Sequence, residues 1–238
     1  DIIVEGVVED ALLEAGGQII VKRGIHGMGK GYLQAESNVI CQFIENAIVS
    51  SGGFVETNSI LHSRVSASSE IHVSGKKGFI TGGMIRAGAL VAAQTIGSPM
   101  GTDTRVEVGA DPKKKERFQE LKETLEKENE ELDKCKVILA TYTKKLQSGE
   151  QLPPERMSYV QKLAYAYKAK KHTVEELRNE YADLQQELMF ANHAKIQISK
   201  TIYPGVTVAI SDLEMRVKDE QNFCQYIKKD GEIVRTTL

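Results

Sequence analysis

The sequence has no tryptophan, and only 6% of its 238 residues are aromatic. Large flat surfaces on which sugars or bases stack are therefore scarce. It has three cysteines, Cys41, Cys135 and Cys224, far apart and without metal-ligand spacing. So sparse and odd a set argues against a disulfide framework and fits a reducing compartment. No apolar run approaches the ~18–20 residues needed to cross a bilayer. No charged-then-apolar leader opens the chain. The formal net charge is only −2, so nucleic-acid binding is not expected. The chain begins at Asp1, within what reads as a strand, which fits a piece of a longer protein.

What is present falls into three zones. Residues 1–110 hold most of the glycines and alternate short β-branched runs with small residues. Ile2-Ile3-Val4, Ile19-Ile20-Val21, Val39-Ile40, Phe54-Val55, Ile71-His72-Val73 and Leu90-Val91 recur at irregular intervals centred near ~17 residues, with further short runs between them. Gly16-Gly17, Gly52-Gly53 and Gly82-Gly83 supply turns. No single piece can bury a face alone, and stacked copies can, which is the logic of a solenoid. Three short strands per repeat predict a parallel β-helix. The wandering intervals exclude a strict hexapeptide helix and favour the right-handed form.

Residues 111–198 are charged, nearly glycine-free and helical in pattern. Phe118, Leu121, Leu125, Glu128, Leu132, Cys135, Leu139, Tyr142 and Leu146 step by three and four, as a heptad seam does. Val160, Leu163, Tyr167, Lys170, Val174, Leu177, Tyr181, Leu184, Leu188 and Ala191 repeat the pattern. Asp111-Pro112 is an N-cap followed by proline at the first helical position; Ser148-Gly149 and Pro153-Pro154 punctuate the middle. An antiparallel coiled-coil hairpin follows, with helices ~50–60 Å long at 1.5 Å per residue. The expected register sets Leu146 near Val160 and Phe118 near Leu188. It brings Glu128 to Arg178, and Lys170 to Glu131 or Asp133.

Residues 199–238 return to short β runs. Thr207-Val208-Ala209-Ile210 and Glu214-Met215-Arg216-Val217 are strand-like, and Asp230-Gly231 marks a two-residue hairpin turn. These strands are expected to extend or cap the β-helix, whose last layer is otherwise an open edge.

The ordered set Asp1-Ile2-Ile3-Val4-Glu5-Gly6, Gly24-Ile25-His26-Gly27, Ile60-Leu61-His62-Ser63, Gly78-Phe79-Ile80-Thr81-Gly82-Gly83, Ile85-Arg86-Ala87-Gly88, Thr95-Ile96-Gly97-Ser98 with Gly101-Thr102, and Ile202-Tyr203-Pro204-Gly205-Val206 resembles the flagellar assembly protein A family. The resemblance covers essentially the whole chain. It implies a β-helix joined to a coiled coil, a bacterial cytoplasmic setting, and a non-enzymatic role in flagellar assembly or placement at the cell pole. It carries over no catalytic residue and no cofactor.

Several motifs invite sharper readings. Gly24, Gly29 and Lys30 match the spacing of a phosphate-binding P-loop, but Gly31 replaces the Mg²⁺-binding hydroxyl and another strand follows where a helix is needed. A glycine-rich corner is expected there. Gly75-Lys76-Lys77-Gly78 is a turn whose Lys76 and Lys77 are candidate anion ligands. Glu5, Glu9, Asp10, Glu14, Glu45, Glu56 and Glu70 are scattered and form no catalytic carboxylate pair. His62-Ser63 are adjacent, so on a strand they point to opposite faces. His26, His62 and His72 hold a metal only if they share a face. On the hairpin, Tyr159, Lys162, Tyr165, Lys168 and Lys171 make a basic, tyrosine-bearing stretch suited to an acidic partner, a nucleic acid or an anionic membrane surface.

The sequence thus predicts a non-enzymatic scaffold whose coiled coil is a partner-binding arm for a protein partner. A self-polymerising β-helix is the first alternative. An acyltransferase or polysaccharide-active enzyme is the second. Homo-oligomerisation and peripheral contact with an anionic membrane are open; no cofactor and no metal are expected.

Overall fold

The computed structural model describes residues 1–109, 112–148, 153–191 and 193–238. Two compact units divide it: residues 1–112 with 187–238, and residues 113–186.

The first unit is a parallel β-solenoid with three faces. On the first face, Ile2, Ile19, Val39, Val55, Ile71, Val91 and Ile196 stand in register, each on the one before. On the second, Val8, Ile25, Ile44, Ile60, Ile80, Ile96 and Ile202 do the same. On the third, Leu13, Leu33, Val49, Val65, Ile85, Val106 and Val208 complete the set. These three ladders point inward and form the core; Ile19, Ile25, Ile44, Ile60 and Ile85 are wholly buried. β-Branched side chains pack well on a pleated surface. Each buried one contributes about 1.5–3 kcal/mol. One layer alone buries little, so the layers are stable only as a stack.

Each corner has its own chemistry. Between the second and third faces a residue in the left-handed region turns the chain: Asp10 (φ 43°), Asn46 (φ 50°), His62 (φ 46°) and Gly82 (φ 75°). Asp, Asn, His and Gly are the types that tolerate that conformation best. Between the third face and the next layer's first face, corners stack through their backbones. Gly53 N–H donates to Ser37 O (2.9 Å), Ser69 N–H to Gly53 O (3.0 Å) and Ala89 N–H to Ser69 O (2.7 Å). The stack is too close for side chains: a Cβ at Gly52 would lie 2.1 Å from Glu36 O, and one at Gly88 2.0 Å from Ser68 O.

The helices leave the solenoid at this same corner, after Gly109, and the chain re-enters at Ala194. The returning strand is Lys195–Ile202, so it begins inside the segment 111–198 assigned to the hairpin. Ile196 and Ile198 alternate inward, a period-two signal hidden by the helical pattern just before it. Beyond this layer the pairing turns antiparallel. Ile196 faces Tyr226, Ile198 faces Cys224 and Val208 faces Met215. Asp230 (φ 52°) and Gly231 (φ 84°) form the expected tight turn. These strands cap the core. Tyr226 is fully buried, and its hydroxyl donates to Gln221 Oε1 at 2.7 Å.

The second unit is the helical hairpin, α1 (Pro112–Gln147) and α2 (Pro154–Ala191). Asp111 as N-cap, Gly149 as terminator and the side chain of Ala191 lie outside the described residues. Leu121, Leu125 and Val174 are buried in the seam. The rings of Phe118 and Tyr181 stack with centroids 4.6 Å apart. The register differs from the expected one by about a heptad. Facing residues are equidistant from the link between Gln147 and Pro154, whereas the expected pairing centred the link near Pro153. Phe118 therefore meets Tyr181, not Leu188. Glu128 pairs with Lys170 (3.1 Å), not Arg178, which instead donates to Asn129 Oδ1 at 3.0 Å. Lys170 also pairs with Glu131, as expected.

Candidate functional site

The hairpin carries the basic, tyrosine-bearing stretch. At 3.6 residues per turn, Lys162, Tyr165 and Lys168 lie on the side of α2 away from the seam residues Leu163, Tyr167 and Val174. Tyr159 and Lys171 flank the seam on its two sides. All five are exposed. Tyr165, at the centre of the outward set, is 80% exposed, and Tyr159 is 51% exposed. A tyrosine held in water beside lysines presents an apolar ring, a hydroxyl and positive charge together, which suits an acidic protein surface. Along the seam, Lys170 is neutralised by Glu131 and Glu128; the hydrogen bond to Glu131, then that to Glu128, pushes its pKa up. It holds the two helices together and is not part of the outward stripe.

Lys76 and Lys77 lie on an exposed turn between the first and second faces, closed by Gly75 (φ 97°) and Gly78 (φ 49°). Its carbonyls are taken from within the solenoid: Gln94 Nε2 donates to Gly75 O (2.5 Å), and the amides of Gln94 and Thr95 donate to Gly78 O (2.8 and 3.0 Å).

The P-loop-like segment is a corner excursion. His26 pairs with Glu45 and Gly31 with Ala47. Gly27–Lys30 therefore occupy the place that Asn46 alone fills in the next layer. The excursion is pinched at its neck, where a Cβ on Gly31 would lie 2.5 Å from Gly27 Cα. The chain then continues as strand through Ala35. No helix N-terminus follows to receive a phosphate.

The three histidines stay apart. His26 is on the second face, with Nδ1 3.3 Å from Glu45 Oε2. His62 is at a corner. His72 is on the first face, with Nε2 2.6 Å from Glu70 Oε2. Among the described residues no group of three or more His, Cys, Asp or Glu is placed to hold a metal. Ser63 is buried and structural: it accepts from Ala47 N–H (3.2 Å) and donates to Leu61 O (2.7 Å).

Sequence reading missed one cluster, on the outside of the third face. Glu107 lies 2.7 Å from Arg86 Nη2 and accepts from Arg105 Nε at 2.5 Å, while Arg105 Nη1 lies 2.9 Å from Glu214. Burial works to raise the pKa of Glu107, but the hydrogen bonds from Arg105 and Arg86 outweigh it and hold the carboxyl low. The alternation Arg105-Val106-Glu107 shows that both charges face outward. Only the layer register shows that Arg86 and Glu214 join them.

Among the described residues no helix is long and apolar enough to cross a membrane. No curated protein and no solved structure matches the chain. The family model for the flagellar assembly protein A β-solenoid domain matches residues 1–233. With the in-register solenoid and its helical insertion, that match over nearly all the chain places it in one family: the protein belongs to the flagellar assembly protein A β-solenoid family.

Proposed function

We propose that this flagellar-assembly solenoid is a non-enzymatic scaffold and that its hairpin binds a protein partner. The binding surface is the outward stripe Lys162, Tyr165 and Lys168, with Tyr159 and Lys171 at its margins. The observation that carries the reading is Tyr165, 80% exposed among lysines. The partner is an acidic protein surface of the flagellar assembly process, met in the cytoplasm at the cell pole.

A pull-down from extracts of motile bacteria tests this. The intact chain is compared with a variant lacking 112–191 and with Tyr165→Ala/Lys162→Glu/Lys168→Glu. A partner retained by the intact chain and lost by both variants is the expected result. Retention by both would move the binding surface to the solenoid. A fluorescent fusion that stays evenly spread through the cell would remove the polar part of the reading.

A further inference from the structure

The outer side of α1, opposite Leu125, Leu132 and Leu139, carries a stripe that the seam does not use. Stepping by three and four residues, it runs Glu126, Glu130, Asp133, Val137, Thr141, Lys144, all exposed. Val137 is 66% exposed at its middle, and Ile138 beside it is 38% exposed. The stripe is acidic before Val137 and basic after it. Lys134 stands on its shoulder.

We propose that two copies of this chain pair through this stripe, antiparallel and two-fold symmetric about Val137. Inverting the stripe on itself sets Val137 on Val137, Asp133 opposite Thr141, and Glu130 opposite Lys144. The last pair occurs twice because the contact is isologous. Lys134 then faces Ala140 of the second copy, so it meets no like charge. A parallel pairing in register sets Glu130 on Glu130 and Lys144 on Lys144, which repel. A partner of one charge sign meets like charge along half of the stripe. The pattern complements itself only when inverted, which selects a second copy. The paired length, from Glu130 to Lys144, is ~21 Å at 1.5 Å per residue. So short an interface is weak and salt-sensitive. The pairing uses α1 and is independent of the partner stripe proposed on α2.

Sedimentation equilibrium of the whole chain over a wide concentration range tests it, with helicity by circular dichroism to confirm that each variant folds. The expected result is a monomer–dimer equilibrium whose Kd rises with salt. Glu130→Lys alone and Lys144→Glu alone each place two like-charged pairs in the interface and raise Kd about ten-fold. An equal mixture of the two variants restores both opposite-charge pairs in a heterodimer, and the double variant restores them in a homodimer. Val137→Glu abolishes the dimer. A chain that stays monomeric at every concentration overturns the proposal. So does a dimer indifferent to the single reversals, and so does a failure of the mixture to regain what each variant loses.

Discussion

The backbone amide of Lys195 donates to the carbonyl of Ala89 across 2.9 Å. Ala89 and Lys195 lie in successive layers of the solenoid, although the hairpin separates them in sequence. The same corner ladder runs through Ser37, Gly53 and Ser69 below them. The insertion therefore replaces one tight turn and leaves the backbone ladder unbroken. A Cβ built on Gly109 would lie 3.5 Å from that of Ala194, so a short Gly-Ser link can close the gap. Removal of 112–191 with such a link is expected to leave the β signal and the cooperative melt intact while the helical signal disappears. A variant that collapses or aggregates would show that the solenoid depends on its insertion.

Corner conformation gives a second test. Gly83 has φ 90°, and a Cβ there would lie 2.1 Å from Ser63 O. Gly83→Ala combines left-handed strain with a backbone clash and is expected to cost more than ~3 kcal/mol. Gly101 is also left-handed (φ 70°), but a Cβ there meets nothing within 4 Å. Gly101→Ala should therefore cost only about 1 kcal/mol. At His62 (φ 46°), Asn or Gly should be tolerated and Val should cost about 2 kcal/mol. Urea midpoints of the five variants check the ranking, and a Gly83→Ala no worse than Gly101→Ala contradicts it.

Much of this architecture was legible in the sequence. The β-branched runs at Ile2, Ile19, Val39, Ile71 and Leu90 marked the first face, because inward positions of a solenoid need shape and apolarity and nothing else. The heptad seam was legible for the same reason. Its register was not: three-and-four stepping fixes which residues face inward, and the placing of the link decides which residue faces which. That is why Phe118 meets Tyr181 and Glu128 meets Lys170. The return at Lys195 was obscured because Ile196 and Ile198 follow directly on a helical pattern. The Arg86–Glu107–Arg105–Glu214 cluster was invisible because its members come from three separate stretches joined only by layer pairing. The five residues of the α2 stretch were visible as composition, but their division into an outward set and two flanking residues needed the seam direction.

Lys170 gives the third prediction. It stands in the seam with Glu128 at 3.1 Å and Glu131 beside it. Solvent reaches the group and screens it, so its contribution to stability is small. Lys170→Glu would gather three carboxylates, and the helical melt should begin earlier by an amount that shrinks as salt is added. Lys170→Leu should keep or raise thermal stability, since a hydrophobe in a seam often equals an ion pair, while loosening the choice of register. A spin-label distance across Phe118 and Tyr181 positions reports that register.

Thiol reactivity supplies the fourth. Burial pushes the Cys41 thiol up to about 12, against a weaker lowering by its hydrogen bond to Thr57. Burial also raises Cys224, partly opposed by Arg235. Cys135 is half-buried on the hairpin. Thiolate is the reactive form, so a disulfide-exchange reagent at pH 8 should titrate one thiol in the native chain and three after denaturation. Fast reaction at Cys41 would place it outside the core.

Glu107 sets the pH dependence of the third face. Its folded pKa lies below its unfolded value because Arg105 and Arg86 hydrogen-bond the carboxylate more strongly than burial opposes it. A carboxyl depressed on folding stabilises the native state fully above its unfolded pKa, and that stabilisation is lost as pH falls through the folded value. The cluster is partly in water, so the contribution is about 1 kcal/mol. Glu107→Gln should thus lower the unfolding free energy at pH 7 by that amount, read from urea titrations. The gap between the variant and the parent should narrow as pH falls below the ordinary carboxylate range and through the depressed folded pKa of Glu107, where the parent carboxyl is protonated too. Charge repulsion acts in the same direction: without Glu107, Arg86 and Arg105 lie near each other, and among the described residues Glu214 offsets only Arg105 at pH 7. Added salt should therefore recover part of the loss in the variant and little in the parent. A gap that stays constant from pH 7 to pH 3 would assign the effect of Glu107 to packing and not to its charge.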